Sequence, residues 1–87
     1  MKEGHHIVVL ERGWVYVGKV TQTSADTLRI DDASCVRRWG TTNGLGELAA
    51  KGPQRDTKLD PAGVVEAPMR SVLFTIATNP DAWKAAA

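Results

Sequence analysis

The chain has 87 residues, of which 43% are hydrophobic, and a formal net charge of +1. This length is enough for one domain, but a core of this size provides little stability. Because Cys35 is the only cysteine, an internal disulfide is excluded, and no Cys/His cluster offers the ligands of a structural zinc site. We therefore expect self-association to support the fold. The longest apolar run cannot span a bilayer and no secretory signal precedes it, so we expect a cytoplasmic protein.

The first half of the chain has the patterns of β-strands. The sequence predicts four strands with short connections, at residues 6–10, 14–23, 27–30 and 35–39. The second strand has no cleanly polar face, which indicates cover on both sides, and its Gly18 predicts a bend or bulge. Residues 31–34 are interpreted as a turn between the third and fourth strands. We expect His5 and His6 to lie in a solvated chain start.

The periodicity becomes helical after the fourth strand. Leu45, Leu48 and Ala49 recur at the spacing of one helix face, which predicts a helix of about two turns. Gly44 is the predicted N-cap, and Glu47 is at the position of the acidic residue in a capping box. A helix this short is not stable alone, so its apolar side chains must pack against the sheet.

The rest of the chain predicts a loop, a strand and a terminal turn. Residues 53–70 contain three of the four prolines and are interpreted as a long proline-containing loop or arm. Residues 71–78 form the predicted last strand. Its side chains predicted to face inward are Val72, Phe74 and Ile76. Asn79 precedes a proline, as at many helix starts, and we expect a helical turn at residues 82–85 anchored by Trp83.

Together these elements predict a β-rich α+β fold in a single domain spanning residues 1–87. The expected architecture is a small curled antiparallel sheet, or a partly open barrel, of about five strands. One short helix is inserted, and a short helical turn ends the chain.

Positive charge is concentrated between residues 35 and 58. This segment carries five basic residues against Glu47 and Asp56. The basic residues are Arg37, Arg38, Lys51, Arg55 and Lys58. The small charge of the whole chain argues against a protein that coats nucleic acid in bulk. We therefore expect a local site for an anionic ligand.

The chemistry of this segment fits a nucleotide-like anion. Arg37 and Trp39 share a face of their strand, and a guanidinium beside an indole offers a surface on which a flat ring stacks. Arg38 would pair with phosphate, and the polar residues after it lead into a helix start, where free N–H groups favour anions. Cations of the 53–70 arm would close over the ligand from a neighbouring subunit. The predicted ligand-binding residues are Arg37, Arg38, Trp39, Thr41, Thr42, Asn43, Arg55 and Lys58.

A plainer interpretation stays open for the same residues. Trp39 can pack in the core of a half-buried strand end while both arginines are solvated. The Thr-Thr-Asn-Gly stretch at residues 41–44 can serve only as capping and turn structure. Neither a P-loop nor a dinucleotide-binding glycine motif is present.

One stretch of the chain consists of Arg-Arg-Trp at residues 37–39, followed by Gly-Leu-Gly-Glu-Leu-Ala at 44–49 and by Gly52. This stretch resembles a family of short phage and prophage proteins of unassigned function. Members have an N-terminal hairpin like residues 15–20, an arginine- and tryptophan-rich strand, a short helix and a final apolar strand. The resemblance covers residues 7–78. It implies a bacteriophage origin and supplies no activity.

Catalytic and metal-binding interpretations are weaker. Cys35 has no histidine near it in sequence to act as a base, and Asp31 and Asp32 are more typical of a solvated turn than of a magnesium site. We therefore expect a protein that is not an enzyme and that needs no cofactor or metal.

Three functions follow from these observations. The first is a self-associating phage protein that binds, and in the host bacterium sequesters, a nucleotide-like anionic small molecule. The second is a nucleic-acid-binding small β-barrel. The third is a structural or protein-interaction module. Its predicted interface residues are Trp14, Tyr16, Val64 and Val65.

Overall fold

The computed structural model describes residues 3–84, which form one five-stranded antiparallel sheet with short helices. The strands are β1 (Glu3–Leu10), β2 (Val15–Gln22), β3 (Thr27–Arg38), β4 (Lys58–Pro68) and β5 (Val72–Ala77). The helices are α1 (Leu45–Lys51) between β3 and β4, and α2 (Pro80–Lys84) after β5. Single 3₁₀ turns, Glu11–Gly13 and Met69–Ser71, connect β1 to β2 and β4 to β5. The predicted β-rich α+β fold is confirmed.

The connection between β4 and β5 shows that the sheet is curled. The strand order is β4-β3-β2-β1-β5, so β4 and β5 lie at opposite edges of the sheet. Only Met69–Ser71 separates them in sequence, so the two edges must approach each other at this end. The N–H of Met69 donates to the carbonyl of Asp26 over 2.8 Å, which ties the connection to the start of β3. The sheet curls toward a barrel but does not close.

Each face of the sheet carries its own apolar cluster. The outer face is covered by the helices, and its buried residues are Ile7, Val9, Val15, Val17, Val36, Leu45, Leu48, Ala49 and Trp83. The inner face lies within the curl, and its buried residues are Val8, Val20, Leu28, Ile30 and Ala33. Residues 7–9 of β1 are therefore buried on both faces, which explains their uninterrupted apolar run.

A β-bulge interrupts the pairing of β2 and β3 near the middle of the two strands. Val17 pairs with Ser34 and Lys19 with Asp31, so Gly18 alone faces Asp32 and Ala33. The bulge predicted at Gly18 is confirmed. The turn predicted at residues 31–34 is wrong, because the pairing continues through this segment and residues 27–38 form one strand. The extra residue is absorbed as a bulge at Asp32, whose φ is +51°.

The long loop or arm predicted for residues 53–70 is wrong over most of its length. Residues 58–68 form β4, which pairs with β3 from Lys58 opposite Arg38 to Pro68 opposite Thr27, with three register shifts between these ends. Pro61 and Pro68 are tolerated because β4 is an edge strand, where a missing N–H need not break a ladder. Val65 packs against the inner cluster, whereas its neighbour Val64 is 55% exposed. The prolines thus led to the prediction of a loop, whereas pairing with β3 makes this segment a strand.

The last strand is less buried than predicted. Ile76 packs against the outer cluster and Val72 against the inner one, so these two side chains, predicted to share one face, lie on opposite faces of the sheet. Phe74 was expected to face inward and is 51% exposed. Val9 pairs with Phe74 but Leu10 pairs with Val72, so Leu73 is an extra residue. This irregularity lies on an edge strand whose outer side has no neighbouring strand within residues 3–84, and Phe74 is left uncovered there.

The chain end is anchored as the sequence predicts. The side-chain oxygen of Asn79 accepts a hydrogen bond from the N–H of Asp81 over 3.2 Å, which confirms the cap. Trp83 is buried, and its indole N–H donates to the carbonyl of Ala49 over 3.1 Å. Residue 85, the last of the predicted turn, lies outside the described residues.

His5 and His6 are not a solvated chain start. Both lie in β1 and are half-buried. The Nδ1 atom of His5 is 2.6 Å from the hydroxyl oxygen of Thr78, and its ring centroid is 5.3 Å from that of Trp83. Burial lowers the pKa of His5 below its usual 6.5, and the neighbouring His6 lowers it further by a smaller amount. The carboxylate of Asp32 acts in the opposite direction.

Across residues 3–84, neither helix has the length and apolar character needed to cross a membrane.

Candidate functional site

The basic residues lie where β3 ends and β4 begins. Val36 pairs with Leu59 and Arg38 with Lys58, so the last residues of β3 lie beside the first residues of β4. The segment that connects the two strands contains α1. Leu59 packs against the outer cluster and Val36 is buried there, which holds this end of the strand pair on the core. The charged side chains next to them are thus carried by paired strands rather than by a mobile arm.

Two contacts hold together the two ends of the connection between β3 and β4, which contains α1. The hydroxyl of Thr57 donates to the carbonyl of Trp39 over 2.6 Å. Gly40 lies directly against the backbone of Asp56 and Thr57, and a Cβ added at Gly40 would collide with it. The φ of Gly40 is +67°, a conformation that glycine adopts without strain. This close approach holds Trp39 beside the start of β4.

Three cations meet at this end of the sheet. Arg37, Arg38 and Lys58 line a surface depression with a volume of about 510 Å³, which we call the basic depression. All three side chains are exposed. A depression of this volume is within the range of small-molecule sites.

The charges in the basic depression are unequally compensated. The Nε atom of Arg37 lies 3.3 Å from a carboxylate oxygen of Asp60, with 68% and 51% of the side chains exposed. An ion pair this exposed contributes little stability. Arg38 and Lys58 lie directly opposite each other in the strand pair, and within residues 3–84 neither has a carboxylate within 4.0 Å. Like charges facing each other across two strands are unfavourable, and a bound anion would remove this repulsion.

Trp39 follows the two arginines and is 44% exposed. A Cβ added at Gly44 would lie 3.8 Å from the Cζ3 atom of the indole, so part of the ring covers the backbone at the start of α1. The remainder of the ring is open to solvent. Trp39 is therefore not a core residue, and its exposed surface is available for stacking.

Two of the polar groups before α1 are already used within the chain. The hydroxyl of Thr41 donates to the carbonyl of Gly44 over 2.7 Å, and the N–H of Asn43 donates to the carboxylate of Glu47 over 2.8 Å. Gly44 is the N-cap as predicted, but Glu47 reaches one residue further back than in a capping box. Because a carboxylate already occupies this position and α1 has only 7 residues, the helix start offers no anion site.

The remaining predicted ligand residues are dispersed. Thr42 and Arg55 are exposed, and neither lines the basic depression. Lys58 does line it, but from β4 of the same chain and not from an arm reaching over from a neighbouring subunit. The structure thus brings together Arg37, Arg38 and Lys58, with Trp39 next in sequence.

The predicted interface residues are partly gathered elsewhere. Trp14, Tyr16 and Val65 line a groove of about 350 Å³ between the β1–β2 turn and the end of β4, together with Pro68. Val64 does not line this groove.

Sequence reasoning missed Thr57 and Asp60. Thr57 positions Trp39 through its hydroxyl, and Asp60 pairs with Arg37. Both residues were assigned to a loop, so no strand register was available to place them beside β3. Cys35 is a half-buried free thiol, and the described residues contain no cluster of His, Cys, Asp or Glu suited to hold a metal ion.

A scan against models of protein families finds no match to this chain, and searches of curated proteins and of solved structures find none either.

Proposed function

We propose that this protein binds a nucleotide-like small molecule in the basic depression, without converting it. The observation that carries this proposal is the cross-strand pair of Arg38 and Lys58, two cations without a carboxylate partner within the described residues. A phosphate group between them would accept charge-assisted hydrogen bonds from both side chains. Each such bond contributes about 1.5–3 kcal/mol, which is enough to decide binding at a small site.

Trp39 supports a ligand that also contains a planar ring. Trp39 is the next residue after the arginines and is 44% exposed, although it does not line the basic depression itself, and the bond from Thr57 holds its backbone in place. Stacking of a base on an aromatic side chain contributes about 1–3 kcal/mol. A phosphate alone would use only the cations, whereas a nucleotide would use both parts of the site.

The resemblance to short phage proteins suggests a biological setting for this binding. In an infected bacterium, a protein that holds a signalling nucleotide of the host would lower its free concentration. We propose such sequestration, in the host cytoplasm, as the role of the site.

Thermal unfolding with added ligands tests the proposal. ADP-ribose, AMP and a cyclic dinucleotide are each expected to raise Tm, because a ligand that binds only the folded state stabilises it. Inorganic phosphate is expected to have a smaller effect. No rise in Tm with any of these nucleotides at millimolar concentration would overturn the proposal.

Charge variants locate the site. Lys58→Gln is expected to weaken nucleotide binding by about tenfold, which corresponds to about 1.4 kcal/mol. Lys19→Gln is the matched control, since Lys19 is also an exposed strand lysine but does not line the basic depression. Equal losses in the two variants, measured by isothermal titration calorimetry, would mean that binding follows net charge and not this site.

Single-stranded nucleic acid is the second candidate ligand, because all three cations and Trp39 are exposed rather than enclosed. A short oligonucleotide that binds more tightly than AMP, with an affinity that falls steeply as salt rises, would favour this candidate. Affinity unchanged between AMP and the oligonucleotide would exclude it.

A further inference from the structure

We propose that β5 pairs with β5 of a second copy of this chain, in an antiparallel arrangement that extends the sheet across a two-fold axis. This dimer goes beyond the proposed ligand site, and the two involve different strands. The inference rests on the edge of β5, which pairs with no other strand of the described part of the chain, on its exposed apolar side chains and on the contrast with the other edge.

The two edges of the sheet differ in their protection. β4 carries Pro61 and Pro68 together with three charged side chains, and such residues oppose the addition of another strand. β5 has the sequence Val-Leu-Phe-Thr-Ile-Ala, which contains neither a proline nor a charge. An edge strand without these features can accept another strand.

The pairing of β5 with β1 shows which backbone groups of β5 remain free. The N–H of Thr78 donates to the carbonyl of His5, so these two residues face each other in a hydrogen-bonded pair. Antiparallel pairs alternate between hydrogen-bonded and non-hydrogen-bonded positions. Thr75, opposite Val8, is therefore in a non-hydrogen-bonded position, and its N–H and C=O face away from β1. The same holds for Ala77.

These outward groups define the register of the dimer. If Thr75 lies opposite the partner's Thr75, each N–H donates to the other chain's carbonyl, and this arrangement is symmetric about a two-fold axis. Phe74 then lies opposite the partner's Ile76. Aromatic and β-branched residues form favourable cross-strand pairs, so the dimer covers Phe74, which is 51% exposed in one chain. Leu73, which is 60% exposed, is brought to the same interface.

The edge chemistry favours a second copy over another protein. An uncharged strand meets no like-charge repulsion when it pairs with itself. Pairing of β5 with β4 of another copy would build an open chain of molecules. The prolines and charges of β4 oppose this pairing. Pairing through β5 alone is closed and stops at two copies.

Light scattering during size-exclusion chromatography tests the dimer. The unchanged protein is expected to have twice the mass of one chain, and Phe74→Lys is expected to have the mass of one chain. Val64→Lys is the matched control, since Val64 is 55% exposed on the other edge strand, and it is expected to stay a dimer. A monomeric unchanged protein at about 100 μM, or a dimeric Phe74→Lys variant, would overturn the proposal.

Disulfide trapping tests the register and does not depend on affinity. With Cys35→Ser in both chains, Phe74→Cys mixed with Ile76→Cys is expected to crosslink faster than either variant alone, because these positions face each other across the axis. Equal rates in all three samples would exclude this register. Nucleotide binding, measured on the Phe74→Lys variant, reports separately on the basic depression, so the two proposals can fail independently.

Discussion

The Nε atom of Arg37 lies 3.3 Å from a carboxylate oxygen of Asp60, across the paired ends of β3 and β4. Asp60 is thus the only carboxylate, among residues 3–84, that forms a salt bridge with a cation of the basic depression. It competes with any anion that approaches Arg37. For the anion binding proposed above, we therefore expect the affinity to depend on the balance between three cations and this one carboxylate.

Removing the charge of Asp60 should strengthen anion binding. Asp60→Asn frees Arg37, and we expect nucleotide affinity to rise about threefold to tenfold, since exposed charge interactions contribute roughly 1 kcal/mol. Calorimetric titration with ADP-ribose measures the change. Asp31→Asn is the matched control, because Asp31 pairs with Arg29 away from the basic depression. A weaker affinity in Asp60→Asn would contradict the proposed competition.

Gly18 should tolerate no side chain. A Cβ there would lie 2.7 Å from the Cγ2 atom of Ile30 and 2.8 Å from the carbonyl oxygen of Asp31, at the centre of the bulge. Gly18→Ala is expected to lower the free energy of unfolding by about 1–3 kcal/mol in urea titrations. Gly46→Ala is the control, since a Cβ in that exposed position of α1 meets no atom within 4 Å. It should raise the free energy of unfolding by about 0.5–1 kcal/mol.

Trp83 should stabilise the chain end through its indole N–H as well as its burial. The carbonyl of Ala49 accepts bonds from Trp83 and also from the N–H of Asn79. Trp83→Phe keeps an aromatic ring but loses the first bond, and we expect a loss of about 1–2 kcal/mol by chemical denaturation. Trp14→Phe, at an exposed position, should change the free energy of unfolding by less than about 0.5 kcal/mol.

Stability should fall as the pH is lowered through 6.5, because burial lowers the pKa of His5. The unfolded chain then binds a proton more readily than the folded chain, so protonation favours unfolding. The effect is absent well above the ordinary pKa and grows on acidification. Urea midpoints measured at about pH 7.5 and pH 5.5 report it. His5→Gln should flatten this dependence, and an unchanged slope in the variant would assign the effect to other groups.

Much of the fold could be predicted from local patterns. The apolar spacing of Leu45 and Leu48 indicates α1, Asn79 marks the start of α2, and Gly18 marks a bulge. Each of these signals involves residues a few positions apart, where backbone preference and side-chain periodicity act directly. The positive charge of residues 35–58 is likewise visible in the composition, but whether Trp39 lies in the core or at the surface stayed open until the structure showed it 44% exposed.

Other features depend on contacts between distant segments. Residues 58–68 have the prolines of a loop, and only pairing with β3 makes them a strand that places Lys58 opposite Arg38 and Asp60 beside Arg37. The hydrogen bond of Thr57 to Trp39 likewise depends on this register.

The sequence by itself therefore determined the alternating strands, the short helices and a cationic, tryptophan-containing segment, because these depend on neighbours along the chain. The tertiary structure decided which charges meet, which hydroxyls are already occupied and which edge of the sheet is left open. These depend on strand register and on the curl of the sheet, and both are set by the joint burial of residues far apart in sequence.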